Sequence, residues 1–459
     1  MAGELGIGAF GFGNITIVND GVIDPEIGIA AYSSGFGYTT TVINRGSIEA
    51  TYVGIGTFAN TVYGSTVITN TGSVTVTGGN LDPYYCSCVP FPFPANGSAA
   101  ILALSVGIGH SVVINNAGTA KGLGSAVGII AVSYGYQSPI SIINSGTVVG
   151  GFAAILANSP TDTKIINTGR ISAGSHFAIG VAGASAEIYN AGRITGFVAL
   201  TDEGDTFLNQ SGGVFETQGV SDFGGGGDLF QNQRGGTVQA ATNRKAAETS
   251  SFVNLERFNN SGGTISLVDG AAGDIFRISN TAPPSSNPFF DGGLAFNASG
   301  NSTLGVDAFL GGPGSTSDSF IIDGDVTGRT AVAVNNTNSG PGVFNRIGIP
   351  VVFVGGNVNE NAFFLPQPID TGFFDYDLFF QPVGSGFFEL RSFLGAGAFV
   401  LPQLTTAAQD LWYAGSSTWF DRTADLRVLL AGGAAPTAYA PTGSKLDDAG
   451  APPGAVPAV

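Results

Sequence analysis

IVNDGVI (residues 17–23), VINRGSI (42–48), ITNTGSV (68–74), INNAGTA (114–120), IINSGTV (142–148), IINTGRI (165–171) and IYNAGRI (188–194) are one phrase written seven times. Each copy is an apolar run, an Asn, any residue, a Gly, a short residue and another apolar one. A fixed phrase recurring every roughly 20–50 residues marks a repeat architecture. The apolar runs are short, β-branched and alternating, which argues strands rather than helices. Asn-x-Gly between them is a turn signal, read here through glycine's freedom at positive φ and the ability of Asn to bond its own backbone.

The spacing names the repeat. Asn19, Asn44, Asn70, Asn116, Asn144, Asn167 and Asn190 are 25, 26, 46, 28, 23 and 23 residues apart. The 46 reads as two of the shortest periods or as one period with an insertion. The phrase then drifts to FLNQSGG (207–213), FQNQRGG (230–236) and FNNSGG (258–263), and Asn209 to Asn232 is again 23. A strand–turn–strand unit cannot bury a face alone, so it must stack on its neighbours. The expected fold is all-β: a right-handed parallel β-helix, or β-solenoid, with coils about 4.8 Å apart. Stacking puts Asn over Asn and Ile or Val over Ile or Val. The nine Asn residues from Asn19 to Asn232 are therefore expected to form a structural ladder rather than a site.

Length alone, at 459 residues, would suggest about three domains. A solenoid overrides that because it grows in one dimension. Lys and Arg number 16 against 33 Asp and Glu, a formal charge of −17, which argues against nucleic acid and anionic membranes as partners. Mean hydropathy is +0.27, yet the longest apolar stretches (99–109 and 126–133) are broken and well short of the roughly 20 residues of a span. No direct membrane span is expected. The start, MAGELGIGAFGFGN, lacks a basic region and carries Glu4, so it does not read as a signal peptide.

Residues 1–280 are expected to hold coils of about 23 residues. GDTFLN (204–209), GDLFQN (227–232) and GDIFRI (273–278) share Gly-Asp-x-Phe. Asp205, Asp228 and Asp274 lie 23 and 46 apart, which reads as one register. A Pro/Ser-rich break is expected over 281–300. Longer aromatic strands at 301–401 read as a wider C-terminal part with a cap that covers the open strand edge. Residues 402–431 switch to helical periodicity, and 432–459 read as a flexible Ala/Gly/Pro linker. Residues 80–97, with DPYYCSCVPFPFP inside, read as a protruding loop. Its Cys86 and Cys88 are an exposed pair or a small strained disulfide.

Chemistry is sparse. Asp202, Glu203 and Asp205 are the densest acidic cluster and could serve as an acid/base pair. No basic partner lies in register with them. Arg170 and Arg193 are 23 apart and should stack as a solvated face or a patch for acidic glycan. DFGGGGDLF (222–230) is one imperfect copy of a calcium-roll repeat that works only in tandem. His110 and His176 sit in separate coils without evident partners, and GSGFF (384–388) lacks the setting of a serine nucleophile. Thr39, Thr41, Thr75 and Thr77 do not recur as an ice-binding array would. No catalytic residue, metal ligand or cofactor is assigned.

The whole layout resembles an autotransporter (type V secretion) passenger with a pertactin-like β-helix. The most specific part is the order SDSFIIDGDVTGRTAVAVNN (317–336), IPVVFVGG (349–356) and FFDYDLFFQPVGSGFFELRS (373–392), which resembles the cap and junction that help fold the stem outside the cell. LWYAGSSTWFDRTADLR (411–427) resembles the stretch upstream of the translocator. The resemblance implies a monomeric, non-catalytic adhesin or stalk at the cell surface, or secreted, whose glycan or protein ligand is unknown. It also implies an outer-membrane β-barrel translocator, which is missing from this sequence. A passenger fragment, a processed passenger or a split gene would each explain that. The alternatives are a polysaccharide lyase or hydrolase on the same scaffold and a phage-tail or surface-layer β-helix.

Overall fold

The computed structural model describes residues 4–78, 97–242 and 246–432. It divides into two units, Met1–Gly395 and Ala396–Val459. Cys86, Cys88, most of the 80–97 insertion and the tail after residue 432 lie outside the described residues.

The first unit is a parallel β-helix. The Asn-bearing strands Ile15–Asn19, Thr39–Asn44, Ser65–Asn70, Ser111–Asn116, Ile140–Asn144, Thr163–Asn167 and Ala186–Asn190 pair in parallel, each on the next, with Asn opposite Asn. Ser65–Asn70 pairs directly with Ser111–Asn116, so the 46-residue spacing is one coil carrying an insertion. Alternation does the sorting: in Thr39–Asn44 every second residue is buried and every other one half-exposed. Long strands such as Ile27–Phe36, Val53–Val62 and Ala99–Ser105 form a second face, and short ones such as Ser47–Ala50, Ser73–Val76 and Thr119–Gly122 a third.

One column shows how the bore is filled. Ile17, Val42, Ile68, Ile114, Ile142, Ile165 and Ile188 lie in register, and the column continues as Phe207, Phe230, Phe258 and Phe296 before ending at Val326. The filling thus changes from aliphatic to aromatic at residue 207. Ring centroids along the Phe run are 5.0, 4.9 and 5.5 Å apart, the spacing of offset stacking.

The stretch read as a break contains a coil strand. Leu294–Ser299 pairs with Arg257–Ser261 below it and with Ser319–Thr327 above it. The parallel stack then meets an antiparallel hairpin. Gly386–Leu394 pairs with Ile349–Val354 and with Phe374–Gln381, which covers the last open edge. Phe388 of the hairpin packs against Phe363 and against its strand neighbour Phe380, and buried Tyr376 donates its hydroxyl to the Val343 carbonyl at 2.6 Å.

In the second unit a 3-10 turn, Ala396–Phe399, leads into a single helix, Val400–Leu430. Pro402 is tolerated because it lies in the first turn, where the backbone N–H has no partner to lose. Trp412, Trp419 and Phe420 are all exposed on this helix. No described helix is long and apolar enough to cross a membrane.

Candidate functional site

The repeated Asn is the first candidate to locate. Asn19, Asn44, Asn70, Asn116, Asn144, Asn167, Asn190, Asn209 and Asn232 form one buried file. Each Nδ2 donates to the Oδ1 of the next at 2.8–3.0 Å, ending on Asn260. Asn260 in turn donates to the Ser302 hydroxyl at 2.7 Å. The second amide proton reaches a backbone carbonyl, as from Asn70 to Thr119 at 3.0 Å and from Asn144 to Arg170 at 3.2 Å. The file occupies these amides in holding coils together.

The Gly of the phrase has a different cause from the one its turn signature suggests. Gly46, Gly72, Gly118, Gly146, Gly169 and Gly192 are not among the positive-φ residues. A Cβ on any of them would sit 1.9–2.1 Å from a carbonyl oxygen of the coil below. Glycine is required because the turns stack backbone on backbone.

The acidic cluster splits. Asp202 and Glu203 are exposed, whereas Asp205 is only 1% exposed and points inward. Its carboxylate accepts the amides of Ala186 at 2.5 Å and Thr201 at 2.7 Å, and burial raises its pKa against those bonds. The Asp205 amide donates to Asp228 Oδ1 at 2.7 Å, and the Asp228 amide to Glu256 Oε2 at 2.7 Å. Asp274 is not in this register, contrary to the sequence reading. It precedes Ile275–Ser279, which pairs with Thr249–Val253 on another face, and it accepts the Glu248 amide at 2.6 Å. Two corners of the coil use the same device, an acidic residue ahead of a strand that catches the amide of its neighbour. The repeated Gly-Asp signalled the device but not the corner.

The remaining candidates fall on the surface or in the scaffold. Arg170 and Arg193 are in register, and Arg193 pairs with Glu216 at 2.9 Å. His110 is buried between the Thr61 and Thr66 hydroxyls, and burial pushes its pKa down to about 4. The His176 side chain lies outside the described ones. In the Gly run, Gly224 and Gly226 are at positive φ, and a Cβ on Gly224 would meet the Thr201 carbonyl oxygen at 1.6 Å, so Gly224 serves both the turn and coil stacking. Thr75 sits between Glu49 and Lys121, so its column is mixed rather than a Thr array. GSGFF enters the cap strand Gly386–Leu394.

The outer surface of the first coils carries the side chains left free to meet a ligand. Phe10, Tyr32 and Phe58 share one outward column, followed by Leu104. Tyr32 and Phe58 stack at 5.4 Å and 6°, and Phe36 meets Tyr63 edge-on at 5.7 Å. Phe10 is 67% exposed and Phe36 69%. Beside the Phe10, Tyr32 and Phe58 column, on the side away from Phe36, the neighbouring column is flat, with Gly8, Ala30 and Gly56.

Against this geometry, one family model matches: Autochaperone Domain Type 1, over residues 294–378. That span begins at the first strand of the supposed break and ends inside the cap hairpin. Residues 294–378 are thus similar to the autochaperone segment of autotransporter passengers, and the parallel β-helix below them fits a pertactin-like passenger. No curated protein matches the chain. Passengers built this way, with a β-helical stem and an autochaperone segment, are exported with a translocator β-barrel to the cell surface or the medium.

Proposed function

We propose that the passenger is a non-catalytic, monomeric adhesin or interaction stalk that binds a glycan or protein surface through its first coils. The outward aromatic column supports this reading: exposed Phe10 with half-exposed Tyr32 and Phe58, beside a flat Gly/Ala strip. Aromatic faces offer large, rigid contact area at small conformational cost, and exposed rings in one row mark an interaction surface. The polar side chains of the phrase are committed to the Asn file, and the cluster that could have supplied an acid/base pair is split between scaffold and solvent.

The test is binding of the purified chain to glycan panels, extracellular proteins and whole cells. Retention that falls at least tenfold in Phe10→Ala/Phe36→Ala, with unchanged coil protection, supports the reading. Absence of binding to every surface counts against it. Release of unsaturated or reducing ends from acidic polysaccharide, lost in Asp202→Ala, would replace it with the enzyme reading.

A further inference from the structure

We propose that the stem between residues 205 and 323 is acid-latched: its coils hold tightest when the buried carboxyls of Asp228, Asp274 and Asp318, set in two corner files, carry protons, and loosen as those three carboxyls ionise. The first file is Asp205, Asp228 and Glu256, joined amide to carboxylate at 2.7 Å from coil to coil. In the second, the Asp274 amide donates to Asp318 Oδ1 at 3.0 Å, the Asp307 amide to Asp318 Oδ2 at 2.6 Å, and the Asp269 amide to Asp307 Oδ2 at 2.9 Å. Asp228, Asp307 and Asp318 are 0% exposed and Asp274 is 1% exposed.

Each file sets like charges against one another in adjacent coils, about 5 Å apart. The groups facing Asp228 are Asp205 and Glu256 from the coils on either side. Those facing Asp274 are Glu248, Asp269 and Asp307, and Asp274 and Asp307 face Asp318. Arg277 is committed to Asp323 at 2.6 Å, and Arg257 reaches the Gly227 carbonyl at 3.5 Å. Among the described residues no Lys or Arg pairs with Asp205, Asp228, Asp269, Asp274, Asp307 or Asp318. Asp228 Oδ2, Asp269 Oδ2 and Asp274 Oδ2 are buried without a hydrogen-bond partner. A proton on such an oxygen removes a buried charge and creates a donor where neighbouring carboxylates accept.

The direction of titration agrees with the geometry. Burial, with the neighbouring carboxylates adding to it, pushes Asp228 and Asp318 up to about 7 and Asp274 up to about 6. A carboxyl raised above its unfolded value binds its proton more tightly when folded. Its stabilisation is complete below the ordinary carboxylate range and is lost as pH rises through 6 to 7. Residues 39–76 carry a single acidic side chain, the exposed Glu49, and should lack this response.

The experiment is hydrogen exchange of the full chain between pH 5.5 and pH 8.5, corrected for intrinsic exchange. Peptides from 205–279 are expected to open at least about tenfold more often at pH 8.5, the factor that corresponds to one unit of pKa. Peptides from 39–76 should not. Asp228→Asn, which mimics the protonated carboxyl, should restore protection at pH 8.5. Equal or greater wild-type protection of 205–279 at the higher pH overturns the proposal. So does protection at pH 8.5 that requires added calcium and vanishes with a chelator. If the variant does not fold, infrared spectra of the wild type with carbon-13 Asp decide it. A protonated-carboxyl band at pH 6 that disappears by pH 8.5 is expected, and its absence at pH 6 overturns the proposal.

Discussion

Replacing Asn144 by Asp changes one NH2 for one oxygen and tests the logic of the Asn file. In the wild type, Asn144 Nδ2 donates to Asn167 Oδ1 at 2.8 Å and to the Arg170 carbonyl at 3.2 Å, while its Oδ1 accepts from Asn116 at 2.8 Å. All three Asn residues are at most 1% exposed. The Asp variant keeps the acceptor and loses the donor, so two buried acceptor oxygens are stranded. At about 1–3 kcal/mol for each, the cost is about 2–6 kcal/mol, and an ionised carboxylate among acceptors adds to it. Asn144→Ala strands the same two oxygens and also takes an acceptor from Asn116, which keeps its 3.2 Å bond to the Thr147 carbonyl, so it should likewise cost about 2–6 kcal/mol. The two variants separate by pH. A protonated Asp regains one donor and burial raises its pKa, so Asn144→Asp should recover part of its loss relative to wild type as pH falls from 7 towards the ordinary carboxylate range, whereas Asn144→Ala should not. Site-resolved hydrogen exchange is the assay, because a solenoid opens locally. The effect should centre on Ser111–Asn116, Ile140–Asn144 and Thr163–Asn167. An Asp variant within about 0.5 kcal/mol of wild type at pH 7 would refute the ladder as a source of stability, since that is the range of an ordinary surface substitution.

Other perturbations follow from the same geometry. Gly146→Ala places a Cβ 2.0 Å from the Gly118 carbonyl oxygen and should cost about 1–3 kcal/mol, read as faster exchange in its coil. His110 has its pKa lowered by burial to about 4, so its contribution is present above about 6.5 and is lost as pH falls through 4, by about 3 kcal/mol at most. His110→Gln should flatten that acid slope around residues 61–66, which urea titrations at pH 4.5 and pH 7 would reveal. Arg277→Ala strands the buried Asp323 carboxylate and should cost about 3–5 kcal/mol, whereas replacing the pair with Met and Leu together should cost much less.

The Asn phrase was legible because each coil needs the same atoms in the same place, and a ladder tolerates little variation. The autochaperone region was legible from the order of its aromatic strands, and the match over 294–378 falls on it. The carboxylate files were half legible. Asp205, Asp228 and Asp274 stood out, but a spacing of 46 fits two coils of one corner as well as a shift to the next corner, and pairing alone decides between them. The reason for Gly in the phrase was misread because the contact that excludes a Cβ lies one coil away, where local turn rules do not reach. The outward aromatic column was invisible as a unit, since Phe10, Tyr32 and Phe58 become neighbours only through register.

The change of filling at residue 207 has a mechanical consequence. In a one-dimensional stack, stability is close to a sum of terms between neighbouring coils. Before residue 207 the column beside the Asn file is Ile or Val. From Phe207 through Phe296 it is Phe, and Phe215, Phe252 and Phe276 join it from the other faces, with centroids of 5.0–5.7 Å. Each such contact adds about 0.5–1.5 kcal/mol beyond the area a larger ring buries. The coils above residue 207 should therefore outlast those below it at mildly acidic pH, where the buried carboxyls do not oppose them. Limited proteolysis in rising urea at pH 5.5 should leave a resistant fragment that begins near residue 200 and includes the cap. At pH 8.5 that advantage should shrink, because ionised files weaken the same coils that the Phe column strengthens. A resistant fragment drawn instead from residues 39–190 at pH 5.5 would mean that the Asn ladder, rather than aromatic filling, sets the order in which the stem comes apart.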